Sequence, residues 1–171
     1  MENLLPREIV DLAAKVIERN RAAGRRITVA ESCTGGLVAA ALTEVAGSSD
    51  VFDCGFATYS NGAKQSLLGV SGDVLETFGA VSIAVAWEMA QGALAKSGCD
   101  VAVAVTGVAG PGGGSEKKPV GTVVFAKAEK NKSAEDVVAD RKVFGEDKSR
   151  AEIRYQAVLV ALELLLPEDS E

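Results

Sequence analysis

Ser32 and Cys33 place two nucleophiles side by side where a strand hands over to a helix. They belong to the run Ala30-Glu31-Ser32-Cys33-Thr34-Gly35-Gly36, which follows the apolar segment Ile27-Thr28-Val29-Ala30 and precedes the helical pattern Leu37-Val38-Ala39-Ala40-Ala41-Leu42. Adjacent glycines let the backbone turn sharply and approach a ligand closely. The N–H groups at the start of the following helix favour an anion. The sequence contains no histidine. A serine hydroxyl is a weak nucleophile until a base takes its proton; that base is something other than histidine, with lysine and tyrosine the obvious candidates.

Ser32 is the leading nucleophile and Lys64 the leading base. A lysine serves as a base only when neutral, so its pKa must fall from roughly 10.4 towards 7–8 through burial or neighbouring positive charge. Tyr59 orients that amine or relays the proton. The competing reading is structural: Ser32 caps the helix and Lys64 covers apolar surface with its stem. Cys33 is the rival nucleophile, because a helix N-terminus lowers a thiol pKa. Neighbouring residues on an extended strand end face opposite ways, so a Ser32 that faces a cleft sends Cys33 inward. Cys54 and Cys99 lie in β-like runs and are assigned to the core.

A second feature is the glycine-rich stretch Gly107-Val108-Ala109-Gly110-Pro111-Gly112-Gly113-Gly114. Its run of N–H groups can cradle a phosphate. It lacks the Gly-Lys-Ser/Thr of a P-loop and the strand–helix context of a dinucleotide site, and it also reads as a long turn. Arg150 and Arg154 stand one turn apart on the last helix and share a face. Either can bind a phosphate bidentately, or both belong to a solvated face beside Glu146 and Glu152.

The elements that position these residues follow from periodicity. Helices are expected over about 6–22, 35–45, 83–97 and 148–166. Shorter helical pieces are expected from an Asn61 cap to about 68 and over 73–78. Strands are expected over about 27–30, 51–60, 99–106, 121–128 and 136–144, the last two as a hairpin. The alternation predicts an α/β fold, a three-layer α/β/α sandwich with a mixed, mainly parallel sheet. Ligands of such sheets bind beyond the carboxyl ends of the parallel strands. Glu31–Gly36, Thr58–Asn61 with Lys64, and Thr106–Gly114 all fall at such ends.

The 171 residues are read as a single domain with a core over about 7–166 and a mobile acidic tail over 167–171. A net charge of −6 argues against general affinity for nucleic acid. Three widely spaced cysteines fit reduced thiols better than a disulfide framework. No metal-ligand spacing, signal peptide or membrane-length apolar run is present, so a cytoplasmic protein without cofactor is expected. The apolar helix near 83–94 offers a surface for a homo-oligomer.

Five blocks taken together resemble the C-terminal domain of the competence/damage-inducible CinA proteins, whose members include nicotinamide mononucleotide deamidases. They are the Ala30–Gly36 run, Thr58-Tyr59-Ser60-Asn61 with Lys64, Gly79-Ala80-Val81-Ser82, Thr106-Gly107-Val108-Ala109-Gly110-Pro111, and Lys118-Pro119-Val120-Gly121-Thr122-Val123. The resemblance covers about residues 7–166. It implies an amidohydrolase acting on a small nucleotide, with Ser32 as nucleophile, Lys64 as general base and Tyr59 beside them. It further implies a nucleotide site lined by Thr34, Gly35, Gly36, Thr106, Gly107, Ala109 and Gly110, with Arg150 and Arg154 as phosphate ligands. Lys148-Ser149-Arg150 departs from the Gly-Asp-Arg of many relatives.

Overall fold

The architecture was obtained as a computed structural model, which describes residues 2–168. The chain runs α1 (Arg7–Ala22), β1 (Ile27–Glu31), α2 (Leu37–Thr43), β2 (Phe52–Ala57), α3 (Asn61–Leu68), α4 (Gly72–Phe78), α5 (Ile83–Ser97), β3 (Val101–Gly107), β4 (Thr122–Glu129), β5 (Val138–Val143) and α6 (Arg150–Leu165). Of the acidic tail expected to be mobile, residues 169–171 lie outside the described residues.

The five strands form one sheet in the order β2-β1-β3-β4-β5. β1 pairs in parallel with β2 and β3, while β4 pairs antiparallel with β3 and β5. Four strands therefore share one direction and only β4 opposes them, so the sheet is mixed and mainly parallel. The two central parallel strands are buried along nearly their whole length, as the apolar run Val101–Val105 of β3 requires, and β1 buries Thr28 and Glu31 as well. β2 and β5 are the edges, with more open burial patterns.

Helices cover both faces. Ile9, Val16 and Ile17 of α1, Leu42 of α2, and Ile153 and Leu162 of α6 pack against Val29, Val103 and Phe125. On the other face Leu68, Leu75, Val85, Met89 and Ala93 meet Ala30, Ala102, Ala104 and Val124. The buried side of α5 is thus spent on its own sheet. The chain leaves β1 towards β2 on one side and returns to β3 on the other. That makes the β1/β3 carboxyl ends a topological switch point, where a crevice must open.

Several boundaries shift for local reasons. The second helix begins at Leu37 rather than Gly35, because Gly35 and Gly36 both have positive φ and cannot be helical. The second strand stops at Ala57, and Ser60 rather than Asn61 caps α3 by accepting from the Ala63 N–H. Cys54 is only partly buried because β2 is an edge, and Cys99 is buried in the turn ahead of β3 rather than within it.

Gly92 sets how closely α3 approaches α5. A Cβ there would lie 2.0 Å from the Leu68 carbonyl oxygen. Alanine is normally better than glycine inside a helix by about 1 kcal/mol, yet here it would push α3 away. Gly92→Ala is expected to lower stability by about 1–3 kcal/mol in urea denaturation, and to lower activity by displacing Lys64 on α3.

Candidate active site

The turn after β1 is held from three sides. The Ser32 N–H donates to Val105 O at 2.9 Å and the Gly35 N–H to Ser32 O at 3.0 Å. The buried Glu31 carboxylate accepts from the N–H groups of Val38 at 2.9 Å and Ala39 at 3.1 Å. The positive end of α2 is therefore neutralised by the chain's own carboxylate. Sequence reading placed Glu31 in the motif but gave it no task. Its position just before the helix was the available signal.

Lys64 reaches this turn from α3. Its side chain is 1% exposed. Its amine donates to Ser32 Oγ at 3.0 Å, Thr58 O at 2.8 Å and Tyr59 O at 3.3 Å. Among the described residues no carboxylate forms an ion pair with it. Burial pushes its pKa below the usual lysine value, and the neighbouring Cys33 sulfur opposes this more weakly. A neutral amine has two N–H donors and one lone pair. It can donate to both carbonyls and accept the proton of Ser32.

A cavity of about 210 Å³ opens above this pair. Ser32, Cys33, Tyr59, Asn61, Lys64, Ala80, Val81, Thr106, Gly107, Ala109 and Arg150 line it. Thr106 Oγ1 donates to Ala80 O at 2.8 Å, tying the α4–α5 link to the end of β3. Arg150, the first residue of α6, donates to Gly110 O at 2.8 Å and to the Tyr59 hydroxyl at 3.1 Å. Hydroxyl, amine and guanidinium thus converge on one crevice at the switch point.

The chain matches the model of the CinA C-terminal domain over residues 9–168. This chain belongs to the CinA C-terminal domain family. It is similar to the nicotinamide-nucleotide amidohydrolase PncC of Enterobacter agglomerans, with 49% identity over 92% of this chain and 93% of that protein. PncC of Escherichia coli K12 is 46% identical over the same shares. A solved structure of a competence/damage-inducible protein from Agrobacterium tumefaciens superposes with a TM-score of 0.89 at 50% identity, covering 95% of this chain and 96% of that one. A CinA superfamily structure from Escherichia coli gives a TM-score of 0.86 at 36% identity, covering 95% and 92%.

Within this CinA site the predicted residues divide. Ser32, Lys64, Tyr59, Thr106, Gly107, Ala109 and Arg150 border the crevice. Thr34 is fully buried beneath it, while Gly35 and Gly36 shape the turn. Gly110 contributes its carbonyl to Arg150. Tyr59 orients the amine through its backbone carbonyl, and its ring, 65% exposed, carries a hydroxyl bound to Arg150. Arg154 borders a different, apolar cavity with Leu5, Pro6, Ile9 and Leu37. Its guanidinium donates to Cys33 O at 3.1 Å and Thr34 O at 3.3 Å. Asn61, Ala80 and Val81 also line the crevice, where residue type alone gave them no role.

The departure at Lys148-Ser149-Arg150 leaves the helix start intact. Ser149 accepts from the Glu152 N–H, and the Glu152 carboxylate accepts from the Ser149 N–H. This capping box performs the task an aspartate would perform.

Cys33 is buried, and its thiol is pushed up to about 11, chiefly by that burial. Burial thus disfavours the thiolate that a nucleophilic cysteine needs. Iodoacetamide at pH 8 is expected to leave Cys33 unmodified in the native protein and to label it after unfolding, as read by peptide mass spectrometry.

The lowered Lys64 pKa also predicts a pH dependence of stability. The folded protein releases the Lys64 proton at a lower pH than the unfolded chain, which holds it up to about 10.5. Between those values the unfolded state binds more protons, so stability rises with pH. The raised Cys33 value acts oppositely between 9.0 and about 11. Subtracting the urea-denaturation curve of Lys64→Met from wild type removes the Cys33 contribution except the part through which Lys64 lowers the Cys33 value, and that part acts in the same direction. The difference is expected to move in favour of wild type as pH climbs towards 10.5.

Proposed function

We propose that this protein hydrolyses the carboxamide of nicotinamide mononucleotide to nicotinate mononucleotide and ammonia through a Ser32 acyl-enzyme, with Lys64 as the base. The observation that carries the reading is the 3.0 Å contact between a buried lysine amine and the Ser32 hydroxyl. The names of the PncC relatives supply the substrate class. Burial removes the usual reason for a lysine to stay charged, and so supports an amine able to act at neutral pH.

Neutral Lys64 takes the hydroxyl proton as Ser32 Oγ attacks the carboxamide carbon. The oxygen becomes an anion, held by backbone N–H groups of the Ser32–Gly36 turn or the Thr106 loop. The Lys64 ammonium returns its proton to the leaving nitrogen, and ammonia departs from the acyl ester. Lys64 next takes a proton from water, which attacks the ester carbon. Ser32 recovers that proton and the carboxylate product leaves. The scheme uses no metal or organic cofactor.

Arg150 at the rim is assigned to the phosphate. Its guanidinium carries five N–H donors in a planar fork. Bonds to Gly110 O and the Tyr59 hydroxyl fix its plane.

Ammonia release from nicotinamide mononucleotide tests the proposal. Lys64→Met is expected to lose about 10²–10⁴ in kcat, and Ser32→Ala at least as much. Wild-type activity should fall as acid protonates Lys64, at a pH below 10.5. Wild-type release from Ser32→Ala would overturn the mechanism. Saturable nucleotide binding without ammonia release would instead favour a regulatory module.

A further inference from the structure

Arg154 was expected to bind phosphate, yet its Nε and Nη2 donate to the peptide carbonyls next to the nucleophile. The consequence follows from counting the N–H groups of that turn. Those of Ser32 and Gly35 are taken by Val105 O and Ser32 O. Those of Val38 and Ala39 are taken by the Glu31 carboxylate. The N–H groups of Cys33, Thr34 and Gly36 have no backbone acceptor among the described residues; that of Cys33 meets only its own sulfur, and Cys33 and Thr34 are the two next along the chain from Ser32.

The Cys33–Thr34 peptide is trans. In a planar trans peptide the C=O and N–H point in opposite directions. Arg154 draws Cys33 O towards α6, on the side of the apolar cavity that Arg154 borders. The Thr34 N–H is thereby turned away from α6. Cys33 itself lines the Ser32 cavity, which Arg154 does not border. Likewise, the Ser32 carbonyl is committed to the Gly35 N–H, so the Cys33 N–H is turned away from that bond. Thr34 O accepts from both Leu37 N and Arg154 Nη2, which fixes the next peptide too.

We propose that the N–H groups of Cys33 and Thr34 hold the oxyanion, and that Arg154 is the positioning residue that aims them. The inference rests on the Ser32 acyl-enzyme proposed above and assigns the anion site left open there. It also separates the two arginines of α6: Arg150 faces the substrate, whereas Arg154 acts through the backbone and touches no reacting atom.

The test measures ammonia release by wild type, Arg154→Met and Arg154→Lys on nicotinamide mononucleotide and on its phosphate-free riboside. Arg154→Met is expected to lower kcat about 10²-fold on both substrates, the size of losing an oxyanion donor, with little change in either KM. Arg154→Lys should recover part of kcat, because an ammonium can still bond one carbonyl. The acid limb set by Lys64 should stay where it is in both variants, since the Ser32–Lys64 contact does not involve Arg154. A general distortion of the site would move that limb, and such a shift would overturn the proposal. So would a higher KM for the nucleotide with the riboside unaffected, which would make Arg154 a phosphate ligand. Unchanged kcat on both substrates would also overturn it. If Arg154→Met fails to fold by circular dichroism, Arg154→Lys carries the same readouts. Wild type that released no ammonia would overturn this inference together with the proposed function, whereas the other outcomes leave that function standing.

Discussion

A buried lysine amine held against one hydroxyl and two carbonyl oxygens is the constraint on which the rest of the structure depends. Burial disfavours the ammonium, and the uncharged oxygen acceptors round it favour the charged form less than a carboxylate would. A carboxylate in the same place would keep the lysine charged and idle. The chain does hold a buried carboxylate close by in sequence, Glu31, but it is directed at the first turn of α2. One acidic group thus stabilises a helix end, and the amine is left to burial.

The fold supplies this arrangement through its switch point. β1 delivers Ser32, β3 delivers Thr106 and the glycine loop, and α3 enters from the β2 side with Lys64. The two side chains are 32 residues apart in sequence, and their contact depends on how α3 seats on α5. That seat is set by Gly92, where bare backbone lies against the Leu68 carbonyl. A position remote from the crevice therefore fixes the distance between Lys64 and Ser32, because packed interiors do not yield to an extra methyl group without moving something.

The last helix divides its work between two arginines. Arg150 sits at its first residue and reaches the loop after β3 and the Tyr59 hydroxyl. Arg154, one turn further on, reaches the turn after β1. Both close the crevice from the α6 side, but only the first borders it. Shared helical face is a one-dimensional statement. Which loop lies opposite each residue is a property of the assembled layers.

Much of the molecule was legible beforehand. Alternating apolar patterns gave the order of helices and strands, because burial on one or two faces imposes a period on the chain itself. The absence of histidine directed the search for a base to lysine. The paired glycines marked a turn that other residues would enter only under strain. What the sequence could not determine were relations between distant segments: which helix end Glu31 caps, that Tyr59 serves through its carbonyl, that Cys54 lies on an exposed edge, and where each arginine ends. Local preference writes itself into short windows of residues. Contacts across the sheet depend on packing and register summed over the whole core, and only the folded chain evaluates that sum.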